Sequence, residues 1–174
     1  LSFFPANNYA LFVFSYCYKA LNQFQKAIDI WQEYLKHDDK NITVITRAAD
    51  AYRKIRDFKK SKALYMKVLE VEADNPYALI GLGHLSYDFK EFKDALYYWT
   101  RIYELNQDNS DIRVLTAIGN CHRKLKTFDK GTIYFQKALD KDPKNFYALF
   151  GMADCYRGLN QHDISIQYWT KILE

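Results

Sequence analysis

The sequence has few of the residues that build tight turns. Only 6 of its 174 residues are Gly and only 3 are Pro. An all-β fold needs frequent turns, and those turns depend on glycine and proline. The composition therefore argues against a sandwich or barrel and favours long helices joined by short connections. A chain of this length can bury a sizeable core.

The sequence also lacks long apolar runs and long runs of like charge. Its longest apolar stretch, near residues 9–18, is too short to span a bilayer, and no basic segment or cleavage site of a signal peptide precedes it. The 25 basic and 21 acidic residues are spread along the chain and give a net charge of +4. Neither membrane insertion nor nucleic-acid binding is expected from this pattern.

One short segment recurs at a nearly constant interval. Phe24, Phe58 and Phe92 lie 34 residues apart, Phe128 follows 36 residues later, and His162 follows after a further 34. This period is typical of a solenoid of helical hairpins. We therefore predict five repeats within a single domain over residues 1–174. They span residues 8–41, 42–75, 76–111, 112–145 and 146–174, and the last one is incomplete.

Each repeat contains two apolar stripes at helical spacing, with a break near its middle. In the fourth repeat, Leu115, Ile118 and His122 share one helix face, and Phe135 and Leu139 share a face of the next helix. A single hairpin cannot bury such faces alone, so neighbouring repeats are expected to share one continuous core. Asn75 followed by Pro76 predicts a helix start. The predicted fold class is an all-α solenoid.

The apolar pattern resembles the tetratricopeptide repeat over nearly the whole chain. The family has apolar or small residues at seven fixed places. In the first repeat these are Leu11, Phe14, Ser15, Tyr18, Ala27, Trp31 and Tyr34, and in the fourth Leu115, Ile118, Gly119, His122, Gly131, Phe135 and Ala138. Ser86 and His122 depart from the usual Tyr, and Gly131 from the usual Ala. The resemblance implies a right-handed superhelix of hairpins that serves as a protein–protein interaction scaffold.

In this family the first helix of each hairpin lines a concave groove that holds a partner protein or peptide. The resemblance carries seventeen partner-binding positions onto this chain. They are Tyr9, Phe12, Tyr16, Lys19, Asp50, Arg53, Tyr77, Ile80, His84, Tyr87, Arg113, Asn120, Arg123, Tyr147, Phe150, Asp154 and Arg157. Thr43, Thr46 and Thr116 lie between them. The carboxylate clamp of chaperone-binding members is not expected, because Thr116 and Gly151 stand where it needs Lys and Asn.

The predicted groove is aromatic with a ladder of basic residues. Arginine binds carboxylates through two parallel hydrogen bonds, and tyrosine supplies a large rigid contact area. We therefore expect a partner that carries acidic side chains or a free carboxylate. The alternative is that Arg53, Arg123 and Arg157 only solvate the surface or pair with Asp50 and Asp154 nearby.

Residues that carry catalytic or metal chemistry do not form a recognisable set. Cys17, Cys121 and Cys155 occupy the same place in their repeats, which predicts small buried side chains rather than a disulfide or a zinc site. His122 and His162 stand where packing residues are expected, and no metal motif includes a histidine. We expect no enzyme activity, no cofactor and no metal. Unpaired thiols weakly favour a reducing, cytoplasmic compartment without assigning one.

Two further roles stay open alongside groove binding. The chain is expected to be part of a longer protein, because Leu1–Asn7 resembles the tail of an earlier hairpin and no polar capping helix follows Leu173. It could then be a structural subunit that assembles or self-associates through its convex face or its ends. It could also be the recruiting segment of an enzyme whose catalytic domain lies elsewhere.

Overall fold

The computed structural model describes residues 8–106 and 110–174, without the side chains of residues 8–10 and 12. These residues form ten α-helices and no strand. The helices are α1 (Asn8–Ala20), α2 (Phe24–His37), α3 (Ile42–Lys54), α4 (Phe58–Val71), α5 (Pro76–Asp88), α6 (Phe92–Leu105), α7 (Ile112–Lys124), α8 (Phe128–Lys141), α9 (Phe146–Gly158) and α10 (His162–Leu173). Each predicted repeat holds two of them, here called its A helix and its B helix.

The helices gather into two compact units, one ending at Leu85 and the other beginning at Ser86. In the first unit, α1 packs on α2, α2 on α3, and α3 on α4. In the second unit, each helix from α6 to α10 packs on the next, and α7 also contacts α9. Packing between successive helices therefore organises each unit. The all-α class is confirmed, whereas the single domain over residues 1–174 stays a prediction.

Three A helices begin at an asparagine that caps them. The side-chain oxygens of Asn41, Asn75 and Asn145 accept hydrogen bonds from backbone N–H groups three residues ahead, at 3.2, 3.0 and 3.1 Å. Each cap satisfies a backbone donor that has no partner inside the helix. Helix α5 begins at Pro76, as predicted, because proline lacks only the N–H that would be unpaired there.

Aromatic side chains of B helices pack on glycines of the A helix that follows. A Cβ atom at Gly81 would lie 2.3 Å from the Tyr65 ring in the first unit, and one at Gly151 would lie 2.3 Å from the Phe135 ring in the second. Both rings are fully buried. The missing side chains let each ring lie against bare helix backbone, so these glycines bring an A helix close to the preceding B helix.

The turn inside each hairpin contains one residue in the left-handed conformation. These residues have φ between 56° and 65°, and none of them is glycine: Asn22, Arg56, Lys90, Lys126 and Asn160. The left-handed region strains residues that have a Cβ atom, and asparagine tolerates it best. The left-handed turn therefore recurs in every hairpin, although no glycine in the sequence indicates it.

Predictions about six buried side chains have mixed outcomes. Cys121 and Cys155 are buried, as predicted, but Cys17 is exposed. Phe14 and His162 are also exposed, against prediction. Helices α1 and α10 are the first and last helices described, so no further described helix covers their outer faces. His122 is buried as predicted, and its Nδ1 lies 2.9 Å from the Thr127 hydroxyl.

No helix within residues 8–106 and 110–174 combines the length and apolar character that a membrane crossing requires. The prediction that residues 1–7 continue an earlier hairpin lies outside the described residues.

Candidate partner-binding surface

The A helices α3 and α5 border a cavity of about 420 Å³ in the first unit. Its walls combine apolar side chains with polar and charged ones. They are formed by Ile42, Thr43, Thr46, Arg47, Asp50, Asn75, Tyr77, Ile80, Gly81 and His84. The volume is within the range of small ligand sites and exceeds that of any single side chain. Because Tyr77 and His84 are exposed, the cavity is reachable from solvent.

A buried hydrogen bond fixes the polar side of this cavity. The hydroxyl of the fully buried Tyr65 donates to the Asp50 carboxylate. Burial and the negative charge of Asp50 raise the pKa of Tyr65, while the nearby Arg53 guanidinium acts in the opposite direction. The phenol therefore stays protonated and holds Asp50 in place. Part of the Asp50 acceptor capacity is used inside the fold.

Arg47 is the cation of this cavity. It is partly buried on α3 and has no hydrogen-bond or ion-pair partner among the described residues. Other arginines of the described chain are paired: Arg101 with Glu104, Arg113 with Asp111, and both Arg123 and Arg157 with Asp154. The cavity therefore offers a guanidinium whose five N–H donors are available to a ligand.

In the second unit, two predicted arginines converge on one carboxylate. Arg123 Nη1 lies 2.7 Å from Asp154 Oδ2, and Arg157 hydrogen-bonds to the other oxygen of Asp154. Burial alone would raise the pKa of Asp154, but hydrogen bonds from Arg157 and Arg123 outweigh it and lower that pKa. Arg123 and Asp154 are only 16% and 15% exposed, whereas Arg157 is 66% exposed. The cluster keeps one net positive charge near solvent.

Aromatic side chains surround this cluster. The Arg123 guanidinium lies 5.6 Å from the centre of the Phe150 ring, and Phe150 packs edge-on against Trp169 at 5.5 Å. Arg123 also donates to the Asn120 side chain over 3.2 Å. A guanidinium over an aromatic face is stabilised by the ring's negative face. These contacts hold Arg123 rigidly and leave Arg157 as the more accessible cation.

The structure brings together two subsets of the predicted groove residues. Asp50, Tyr77, Ile80 and His84 line the cavity of the first unit. A second subset meets around the ion-pair cluster of the second unit: Asn120, Arg123, Phe150, Asp154 and Arg157. Arg53 is partly buried near Tyr65 of the first subset's cavity, and Tyr87 is partly buried near Arg123 of the second subset.

The remaining predicted positions lie apart from both subsets. Arg113 pairs with Asp111 at 2.6 Å at the beginning of α7. Tyr16 and Tyr147 are exposed, and Lys19 is partly exposed. The side chains of Tyr9 and Phe12 lie outside the described residues.

Sequence reasoning missed four residues of the cavity: Ile42, Arg47, Asn75 and Gly81. The place that Arg47 occupies in its repeat carries Val13, Gly81, Ala117 and Gly151 elsewhere, all of them small or apolar. The presence of one charged residue at a place that is otherwise small or apolar was the signal that could have identified Arg47. Across the described residues, no group of three or more His, Cys, Asp or Glu side chains is arranged to hold a metal ion.

The fold and these surfaces define an all-α repeat scaffold, and comparisons with known proteins give its family. Models described as "Tetratricopeptide repeat" match residues 9–40, 42–75, 112–145 and 134–167. Together these matches cover well over half of the sequence. The chain belongs to the tetratricopeptide repeat family, whose members are protein–protein interaction scaffolds and are typically not catalysts.

Curated relatives share only part of their length with this chain. It is 29% identical over 97 residues to "RNA polymerase-associated protein CTR9" of Caenorhabditis elegans, covering 55% of this chain and 8% of that protein. It is 36% identical over 75 residues to "TPR repeat-containing protein MJ0798" of Methanocaldococcus jannaschii, covering 43% and 22%. The chain spans about a tenth of the length of the CTR9 relatives that it matches.

Solved structures share the fold at low sequence identity. "MamA 41-end from Desulfovibrio magneticus RS-1" has a TM-score of 0.88 at 18% identity and covers 94% of this chain and 92% of its own. "YrrB: a TPR protein with an unusual peptide-binding site" has a TM-score of 0.78 at 20% identity, covering 92% and 82%. At this identity the likeness establishes the fold alone.

Proposed function

We propose that this chain binds a partner protein or peptide on the faces of its A helices. In the first unit the binding face consists of α3 and α5, and in the second it consists of α7 and α9. The observation that carries the proposal is the solvent-accessible cavity between α3 and α5, because its apolar walls and polar groups suit a side chain of a bound peptide. YrrB, which has a similar fold, is a protein with an unusual peptide-binding site.

The partner's chemistry follows from the charges that the two faces leave unpaired. Arg47 has no partner among the described residues, and Arg157 carries the excess positive charge of its cluster into solvent. Acidic side chains, or a free carboxylate, complement such cations. The proposal needs neither a cofactor nor catalysis by this chain.

Selection from a displayed peptide library tests this function. The full chain is immobilised, peptides are enriched on it, and the enriched peptides are then measured against two variants. Thr43→Trp places a large ring into the cavity from an exposed position on α3, and Ala63→Trp places the same ring on the exposed side of α4. Enriched peptides should bind the unaltered chain and Ala63→Trp alike and bind Thr43→Trp weakly.

Two results would contradict the proposal. One is the enrichment of no peptide at all. The other is equal binding to the Thr43→Trp variant, which would place the binding site elsewhere. Circular dichroism of both variants, before the binding measurement, controls for loss of helix.

A structural assembly role is the second candidate, and exposed apolar side chains on α10 favour it. Ile166, Trp169 and Leu173 are exposed there, and large exposed apolar groups are typical of contact surfaces. A role as the recruiting part of a larger enzyme is compatible with the small share of its relatives that the chain spans. Light scattering after size-exclusion chromatography tests self-association: a mass above that of the monomer, reduced by Trp169→Ser, would support the assembly role.

A further inference from the structure

We propose that the cavity between α3 and α5 is an anchor site for the acidic side chain of an internal Glu in a bound peptide, with its carboxylate on Arg47. This inference rests on the proposed function and makes it more specific. It assigns the binding to Arg47, a residue that the groove pattern of the sequence did not include.

Arg47 is a partly buried cation that has no counter-charge among the described residues. Burial takes water away from a guanidinium, and the loss must be offset by hydrogen bonds or by an opposite charge. Arg101, Arg113, Arg123 and Arg157 all have a carboxylate partner within 4 Å. Arg47 is partly buried and has none among the described residues. A carboxylate entering from solvent would therefore gain a full charge-assisted pair without breaking an existing one.

The cavity already contains one carboxylate, that of Asp50. Asp50 accepts the hydrogen bond from Tyr65, and Arg53 acts on the same hydroxyl. Asp50 forms no ion pair with Arg47, although the two lie three positions apart on α3. Tyr65 and Arg53 thus partly compensate the negative charge of Asp50. The remaining charge lowers the affinity of the cavity for an anionic ligand but does not exclude such a ligand.

The cavity suits the carboxylate of a side chain better than the carboxylate of a chain terminus. A terminal carboxylate would bring peptide N–H and C=O groups into the cavity, and these need partners of their own. The Asn75 side chain offers them little, because its oxygen caps α5 and one of its two N–H groups donates to Glu72 at 2.7 Å. The Thr46 hydroxyl donates to the Ile42 carbonyl at 2.7 Å. The apolar walls at Ile42, Tyr77 and Ile80 instead suit the methylene stem of Glu.

The competing occupant is a cationic side chain on Asp50. The two occupants predict opposite effects of the same two substitutions. Arg47→Gln removes attraction for a carboxylate but removes repulsion for a cation. Asp50→Asn keeps an acceptor for Tyr65 while it removes repulsion for a carboxylate and attraction for a cation.

The test uses four blocked amino acids as probes of the isotopically labelled full chain. They are N-acetylglutamate methylamide, the corresponding glutamine and lysine compounds, and N-acetylglycine with a free terminal carboxylate. Amide shifts in α3 and α5 report binding, with affinities in the millimolar range expected for such small ligands. The glutamate compound should bind at least about tenfold more tightly than the glutamine compound, because a charged hydrogen-bonded pair replaces a neutral one.

The direction in which each substitution changes the affinity identifies the site. Arg47→Gln should lower the affinity for the glutamate compound about tenfold to a hundredfold, Arg47→Lys should lower it less, and Asp50→Asn should raise it. The inference is overturned if the lysine compound binds best, if N-acetylglycine binds as well as the glutamate compound, or if Arg47→Gln has no effect. The same holds if no probe shifts the cavity amides.

Failure of this inference can be told apart from failure of the proposed function. If displayed peptides still bind and lose affinity for Thr43→Trp, the peptide-binding function stands and only the acidic anchor is wrong. If neither the peptides nor the probes bind, both are wrong. Because Arg47 has no hydrogen-bond or ion-pair partner among the described residues, its substitution breaks no existing pair, and circular dichroism of its variants should match that of the unaltered chain.

Discussion

The ring of Tyr65 occupies the space in which a side chain at Gly81 would begin. A Cβ atom added to Gly81 would lie 2.3 Å from two carbons of that ring. The same ring carries the hydroxyl that holds Asp50 at the cavity. One contact thus sets both the approach of α4 to α5 and the position of a polar group in the candidate site.

Gly81→Ala should therefore destabilise the chain. The added methyl group forces the buried ring or the helix to move, which costs about 1–3 kcal/mol and exceeds the gain in helix propensity. Chemical denaturation followed by circular dichroism measures the change in the free energy of unfolding. Gly131→Ala is the matched control, because its nearest neighbour would be the Cys155 sulfur at 3.1 Å. Equal losses in both variants would contradict this account of the Tyr65 contact.

The left-handed turn residues lead to a substitution that should stabilise the chain. Lys126 has a φ of 59° at the turn between α7 and α8. Lys126→Gly removes the strain of a Cβ atom in that conformation and should raise the free energy of unfolding by about 1 kcal/mol. The control Lys130→Gly, in the exposed part of helix α8, should lower it by about 0.5–1 kcal/mol. Thermal unfolding of both variants checks the opposite signs.

Asp154 should make stability depend on pH in the acidic range. Its pKa is lowered in the folded chain, so the stability that it contributes is complete above its ordinary pKa near 4 and is lost as the pH falls below that value. Denaturation at several pH values compares the unaltered chain with Asp154→Asn. The variant should be less stable at neutral pH, and the difference should shrink below about pH 4. A difference that stays constant down to pH 2 (a value well below the ordinary range) would be inconsistent with this assignment.

His122 should give a second pH dependence, nearer neutrality. Burial and the charge of Lys130 lower its pKa, so the folded chain resists protonation of the ring. The unfolded chain takes up that proton below its ordinary pKa of about 6.5, and stability should fall as the pH drops through that value. His122→Tyr, which restores the usual residue of the family, should remove this component between about pH 7 and 5. An unchanged profile in the variant would assign the effect to another group.

The periodic features of the structure could be read from the sequence. Helix starts such as Asn75–Pro76, and the burial of Cys121 and Cys155, follow from apolar spacing that five repeats express independently. Spacing also placed Arg123, Asp154 and Arg157 on neighbouring A helices. It could not decide between a free arginine ladder and the ion pairs that form, because that choice depends on side-chain conformation.

The features that break the repeat could not be read in the same way. The cavity depends on a charged residue, Arg47, at a place that is small or apolar in the other repeats, and it depends on the side chains that surround Arg47 in one repeat pair. The left-handed turn residues were missed because none is glycine. Exposure of Cys17 and His162 depends on which helices cover α1 and α10, and the apolar pattern of a repeat is the same with or without such a neighbour.

The central claim is that the A helices bind the partner, and amide shift mapping tests it most directly. A peptide enriched from the library is titrated into the isotopically labelled full chain, and the shifted amides are assigned. The largest shifts should fall in α3 and α5 of the first unit, at Thr43, Arg47 and Gly81 among others, or in α7 and α9 of the second unit. Shifts confined to the B helices α2, α4, α6, α8 and α10 would contradict this claim.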